Sequence, residues 1–172
     1  PLGMRDTVFT VPADKLARYA KALALDPVTG EPQTLRDGTT PHKFDCGGGC
    51  AISTAADYLR FAQMLLNGGE LAGRRYLSAA SVQALSARQT PKDMKESYGL
   101  GFAVGPDFFG HGGAQATGME IRTKDGLVLV WMVQHQGFPG KGAQAQGEFK
   151  KAAVKEFGGE LRTGWRAELR TG

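Results

Sequence analysis

Apolar side chains recur at Tyr58, Phe61, Ala62, Leu65 and Leu66. The spacing i, i+3, i+4, i+7, i+8 is one stripe of an α-helix and predicts a helix with a buried face. Thr54 with Asp57 three residues on resembles a capping box, Asp standing for Glu. Asn67-Gly68-Gly69 then closes the segment as a left-handed C-cap. A second helix is predicted over 13 to 24, with Leu16, Tyr19, Ala20 and Leu23 on one face. A third starts after Ser78 and runs to about Arg88, burying Val82 and Leu85. Between the first two lie Pro27, Gly30, Pro32, Gly38 and Pro41, so residues 26 to 50 read mostly as loop.

The periodicity changes near Tyr98. Tyr98 to Val104, Thr117 to Thr123 and Leu127 to Gln134 read as strands. Thr123-Lys124-Asp125-Gly126 joins the last two, and Asp-Gly between extended segments is a hairpin signal. Leu127 to Val133 is apolar on both faces, which predicts a central strand covered on both sides. Helix resumes from about Ala143 to Phe157, with Phe149, Ala152, Ala153, Val154 and Phe157 as its apolar residues. The fold class is therefore α+β: a mainly helical part over 1–95, then antiparallel strands and a C-terminal helix over 96–157. Beyond that, Glu160-Leu-Arg-Thr-Gly164 recurs as Glu168-Leu-Arg-Thr-Gly172. Two copies are too few for a repeat fold, and 158–172 reads as a non-native or disordered tail.

Composition narrows the picture modestly. The 172 residues are 41% hydrophobic and 22% charged, an ordinary globular balance. No apolar run approaches the roughly 18 residues of a membrane-spanning helix, so no membrane is expected as a partner. Twenty-one Lys and Arg against 17 Asp and Glu give +4, with the basic residues scattered. Aromatics do not interleave with them as stacking platforms, so no nucleic-acid partner is expected. The chain begins at Pro1 rather than at methionine. A missing or processed N-terminus is expected, and localisation is left open.

Twenty-five glycines are the unusual count. Gly47-Gly48-Gly49 and Gly110-His111-Gly112-Gly113 mark places where backbone turns sharply or approaches something closely. Cys46 and Cys50 flank the first run. Free thiols are the favoured state. A small disulfide and a zinc site with His42 remain open, although zinc needs further ligands nearby. No metal and no cofactor are expected.

Self-contained catalytic motifs are missing: there is no Gly-x-Ser-x-Gly, no Walker loop, no His-Glu-x-x-His and no Ser-x-x-Lys. Ser53 and Ser78 read as helix-start residues. His111 is the suggestive side chain. The glycines around it would let a substrate lie against backbone and would free the Ala114 amide to face an oxyanion. The alternative is a glycine-rich β-turn carrying a solvent-facing histidine.

Six segments then match one family in order. Pro1-Leu-Gly-Met-Arg-Asp-Thr7 resembles a Pro-Leu-Gly-Met-x-Asp-Thr motif, and Gly47 to Asp57 resembles Gly-Gly-Gly-x-x-x-Ser-Thr-x-x-Asp. Leu65 to Leu77 resembles the stretch that follows, and Tyr98-Gly-Leu-Gly-Phe102 a segment before the active-site strand. His111-Gly112-Gly113 stands where Lys-Thr-Gly or its His-x-Gly variant is found, and Leu127 to Gln134 resembles the next core strand. The chain is thus similar to the serine β-lactamase and penicillin-binding-protein-like family, in its class C β-lactamase and family VIII-type esterase branch. The resemblance covers residues 1 to 157.

That resemblance implies the C-terminal part of a β-lactamase-like fold, with an incomplete sheet, and acyl transfer on an ester, amide or β-lactam. It places His111, Gly112 and Gly113 along the substrate pocket and gives Ala114 one oxyanion amide. A histidine in place of lysine weakens the case for a dedicated β-lactamase, because histidine is largely neutral at pH 7. The family's serine, lysine and tyrosine belong to Ser-x-x-Lys and Tyr-x-Asn motifs ahead of the Pro-Leu-Gly-Met segment. No catalytic residue is recognisable in this chain, so a C-terminal fragment inactive alone is expected. A non-catalytic oligomeric or ligand-binding protein of the same fold is the alternative. Self-association or a partner carrying the other half would cover the exposed sheet.

Overall fold

The computed structural model describes residues 1–41, 43–136 and 141–158. It is a mixed α/β structure in which a four-stranded antiparallel sheet lies between helices. Helix α1 spans Ala55–Leu66, α2 spans Ala79–Ser86 and α3 spans Lys141–Phe157. A short hairpin, β1 (Glu70–Leu71) with β2 (Arg74–Arg75), separates the first two helices. The sheet runs β3 (Ala103–Val104), β4 (Phe109–Gly112), β5 (Gly118–Arg122), β6 (Leu127–Trp131), in that spatial order. Among the described residues no helix is long and apolar enough to cross a membrane.

Helix α1 follows from local chemistry. The Asp57 amide donates to the Thr54 hydroxyl at 3.2 Å, which caps the first turn. At the other end Gly68 adopts φ 66°, its amide reaching the Leu65 carbonyl and the Gly69 amide reaching that of Met64. This paired closure is a Schellman motif. The predicted stripe is the buried face: Ala62 and Leu65 are fully enclosed, with Tyr58, Phe61 and Leu66 packed around them. Leu65 meets Ile121 of β5 in a cluster that includes Met64, Val82, Phe102, Phe109 and Met119. Each such large side chain contributes roughly 1.5–3 kcal/mol on burial.

Strand alternation divides the sheet into two faces. Met119 and Ile121 point to α1, whereas Gly118 and Glu120 point to α3. Trp131, paired with Gly118, meets Phe149 of α3 at 5.4 Å between ring centroids. Glu120 is buried and joined to Lys150 at 3.0 Å and to Arg122 at 3.1 Å. Helices therefore cover β6 on both sides, which is why its sequence is apolar on both faces. Among the described residues, however, β6 ends the strand order rather than lying at its centre.

Other expectations need correction. The predicted helix over 13 to 24 is a 3-10 helix over Ala13–Arg18 with no buried residue. Leu16 and Leu23 are exposed, so the stripe has no surface to pack on, and helical periodicity alone does not sustain an α-helix. Tyr98 to Val104 is not one strand. Gly101 at φ 94° and a Gly99 amide bonded to the Phe102 carbonyl at 2.8 Å reverse the chain, leaving a bridge from Tyr98 to Ala103. Gly110, His111 and Gly112, for which a glycine-rich turn was the alternative, belong to strand β4 (Phe109–Gly112). Cys46 and Cys50 are not free thiols but form a disulfide. The segment between them turns through three glycines, which brings the two Cα atoms to 5.4 Å. His42, the candidate zinc ligand, and the tail beyond Gly158 lie outside the described residues.

The N-terminal segment is stitched to α1. The Asp57 carboxylate accepts from the Asp6 amide at 2.7 Å and from the Thr7 hydroxyl at 3.0 Å. Val8 and Ile52 exchange backbone hydrogen bonds at 2.9 and 2.8 Å. Arg60 donates to the Leu2 carbonyl at 2.7 Å and the Tyr76 hydroxyl to that of Pro1 at 3.1 Å. Two motifs distant in sequence, Pro1 to Thr7 and Ser53 to Asp57, are thus two sides of one contact.

Candidate active-site strand

Strand β4 carries the predicted residues. Phe109 is buried opposite Ile121, and His111 lies opposite Met119 two residues on. The period of two puts His111 on the same face as Phe109, where the apolar cluster gives out and the ring becomes exposed. Tyr98 meets the His111 ring edge-on, 5.9 Å between centroids at 61°. His111 Nδ1 lies 2.5 Å from the Gly112 carbonyl. A carbonyl only accepts, so Nδ1 is the donor, which leaves Nε2 as the acceptor of a neutral ring.

Glycine is required along this strand by close backbone approach. A Cβ at Gly110 would strike the Met119 carbonyl, and one at Gly113 would strike the Thr117 hydroxyl. The four residues divide between two elements. His111 and Gly112 end β4, and Gly113 and Ala114 begin the turn to β5. The Gly113 amide donates to the Thr117 carbonyl at 2.9 Å, and the Ala116 amide to that of Gly113 at 3.0 Å. Ala116 takes φ 60° to close this turn. The Gly113 amide is thereby consumed, while among the described residues the Ala114 amide has no hydrogen-bond partner. Strand β3 pairs only with Phe109 and Gly110, so the outer edge of β4 beside His111 and Gly112 is open among the described residues.

Of the two serines read as helix-start residues, Ser78 caps α2, whereas Thr54 caps α1 and Ser53 stands one residue ahead of it. Ser78 accepts from the Ser81 amide at 3.0 Å, and Ser53 shares a 2.9 Å contact with the Thr7 hydroxyl beside the α1 cap. Among the described residues no group of three or more His, Cys, Asp or Glu side chains is arranged to hold a metal ion.

The sequence reading passed over one pair near this strand. His135 Nε2 lies 2.6 Å from Asp26 Oδ2, with both side chains largely buried. The Asp26 carboxylate also accepts from the amides of Thr29 at 2.9 Å and Val28 at 2.7 Å. These amides, Thr29 first and Val28 next, and then His135 hold its carboxyl below the usual carboxylate range. The Asp26-Pro27 turn was legible, but its partner lies 109 residues away. Around the pair, the Gln136 amide donates to the Gln33 side chain at 2.8 Å and the Thr34 amide to that of Gln136 at 2.5 Å. The loop over 26 to 36 is thus fastened to the segment after β6. That segment touches the turn after β4 through the His135 amide and the Gln115 carbonyl at 3.4 Å.

Comparison with known proteins agrees with the motif order. A family model described as Beta-lactamase matches residues 1–152. Two curated proteins of Mycobacterium tuberculosis, Uncharacterized protein MT1414 and Protein Rv1367c, are each 34% identical over 168 residues, covering 78% of this chain and 41% of theirs. The crystal structure of a novel penicillin-binding protein homolog from Caulobacter crescentus superposes with a TM-score of 0.52 at 19% identity, over 81% of this chain and 45% of that one. A putative beta-lactamase from Bacteroides dorei has a TM-score of 0.48 at 19% identity, over 87% of this chain and 47% of that one. The chain therefore spans about two fifths of the length of the curated relatives it matches.

Proposed function

The chain belongs to the beta-lactamase family, and from that premise we propose that it is one wall of a serine acyl-transfer hydrolase, of the esterase or β-lactamase kind. The observation that carries this reading is β4: among the described residues its edge beside His111 is open, the His111 ring is exposed and the Ala114 amide has no hydrogen-bond partner. An ester, amide or β-lactam carbonyl laid along that edge would be attacked by a serine oxygen. Its π electrons would move to the carbonyl oxygen, and the Ala114 amide would hydrogen-bond the resulting oxyanion. His111 would accept a hydrogen bond from substrate through Nε2. The serine and its proton-accepting partners come from outside these 172 residues, on a preceding segment or a partner chain, and the chain alone is inactive.

A second reading, a non-catalytic ligand-binding or oligomeric protein of the same fold, is favoured by the engagement of Ser78 in the α2 cap and of Ser53 with the Thr7 hydroxyl. The two readings separate by experiment. A fluorophosphonate or labelled β-lactam probe should leave the purified chain unmodified and should label the chain reconstituted with its N-terminal half. Stoichiometric serine labelling of the 172-residue protein would refute the divided site. No labelling after reconstitution would favour the non-catalytic reading. In a reconstituted enzyme His111→Ala should lower kcat/KM for p-nitrophenyl esters by about 10-fold, the worth of one hydrogen bond. An unchanged rate would remove His111 from the site. Sedimentation should show self-association or capture of the other half, and a strictly monomeric, well-folded chain would count against it.

A further inference from the structure

We propose that the Cys46–Cys50 disulfide is a reversible thiol-exchange site that takes low-molecular-weight thiols, and that it does not serve as a structural staple. The proposal is independent of the acyl-transfer reading.

Three observations carry it. First, the bond closes a ring of only five residues, Cys46 to Cys50. So short a loop removes less freedom from the unfolded chain than a long one, because stabilisation by a cross-link grows with loop length. Second, the ring lies outside the packed structure. A Cβ added at Gly47, Gly48 or Gly49 would meet no atom within 4 Å, and all three glycines are exposed. Opening the ring therefore disturbs nothing packed against its three glycines. Third, both cysteines are only half-buried, and their flank is solvent-facing: Lys43 and Asp45 are exposed and Phe44 is 74% exposed. An incoming thiolate needs such access.

The fold is secured without the ring. On one side the Val11 amide is bonded to the Gly38 carbonyl at 2.8 Å, and Thr39 is bonded to Asp37 at 2.8 Å. On the other side Ile52 is paired with Val8, and Thr54 caps α1. Reduction would free the glycine turn between these two fixed points and leave both in place.

The exchange balances in two steps. A glutathione thiolate attacks one of the two sulfurs, breaking the Cys46–Cys50 bond and forming a mixed disulfide, while the displaced cysteine takes up a proton. A second glutathione thiolate attacks the glutathione sulfur of the mixed disulfide. It leaves as oxidised glutathione, and the other cysteine is protonated. Two electrons pass from two thiols to the protein, and oxidised glutathione drives the reverse.

The test holds the 172-residue protein in buffers of graded reduced-to-oxidised glutathione ratio, followed by acid quench, alkylation and mass spectrometry. The expected result is a reversible passage from disulfide to dithiol, at a native-state rate within about 3-fold of the rate in urea. Near-UV circular dichroism should stay unchanged. Cys46→Ser and Cys50→Ser variants should each trap one glutathione. Three results would overturn the proposal: a disulfide inert to glutathione until urea unfolds the chain, loss of tertiary signal on reduction, or two free thiols in air-oxidised protein.

Discussion

Asp57→Ala removes the acceptor on which the N-terminal segment hangs. Two donors reach that buried carboxylate, the Asp6 amide at 2.7 Å and the Thr7 hydroxyl at 3.0 Å. A hydrogen bond to a charged group contributes about 1.5–3 kcal/mol. Both bonds are part-buried, so the lower figure applies to each, giving about 3 kcal/mol together. A carboxylate in the first turn of a helix adds about 0.5 kcal/mol against the helix dipole. The Thr54 cap uses the Asp57 backbone and survives the substitution. The expected loss is therefore about 3–4 kcal/mol, a large share of the roughly 5–15 kcal/mol that holds a domain together. Asp57→Asn keeps the shape and a neutral acceptor and should lose about half as much. Urea unfolding followed by far-UV circular dichroism measures both. With a slope of about 2 kcal/mol/M the alanine variant shifts the midpoint by roughly 1.5–2 M. A cycle with Thr7→Val should return a coupling of about 1 kcal/mol or more. A loss under about 1 kcal/mol for Asp57→Ala, or strict additivity with Thr7→Val, would refute the argument that this carboxylate joins the two motifs.

Three further outcomes are expected. The Asp6 carboxyl is held at about 2, from 3.8, by hydrogen bonds from Arg18 and then Lys15. A lowered folded value means that its contribution is complete above pH 3.8 and is lost as pH falls toward 2. Asp6→Asn should flatten the dependence of Tm on pH across that window, and an unchanged slope would count against the pairing. Gly110→Ala drives a Cβ into the Met119 carbonyl and should cost about 1–3 kcal/mol while shifting the His111 ring resonances. Wild-type stability there would show that β4 and β5 are not so closely paired. Trp131→Ala removes the ring on which Phe149 rests, so amide exchange should quicken over residues 144 to 157 more than over α1, and equal effects on both helices would contradict their separate faces.

What was legible in the sequence was local. Thr54, the apolar stripe and Asn67-Gly68-Gly69 all lie within one helix of themselves, and α1 has the start, face and end they predict, while the Asp57 carboxylate accepts from Asp6 and Thr7, which a capping box does not foretell. The same periodicity over 13 to 24 misled, because a stripe becomes a helix only where a partner surface exists, and Leu16 and Leu23 face solvent. Glycines hid β4. The run from Gly110 to Gly113 read either as a sharp turn or as a close approach, and Gly110 is the close approach, because the neighbouring strand's backbone leaves no room for a side chain. The double-faced apolar run of β6 was correctly seen as covered, but the covers are α1 and α3, which say nothing about rank in the sheet. Among the proposed site residues, His111 stood out through its glycine-rich surroundings and then through motif order. His135 with Asp26 was missed because only the folded chain brings together residues 109 apart.

The contact between Pro1 to Thr7 and α1 has a consequence for construction. Arg60 and Tyr76 grip the first two carbonyls, so residue 1 has a fixed address on the surface rather than a wandering end. Any segment joined ahead of Pro1, such as a laboratory tag, begins its path beside Tyr76 and inherits that direction. A linker drawn for reconstitution should be measured from that point.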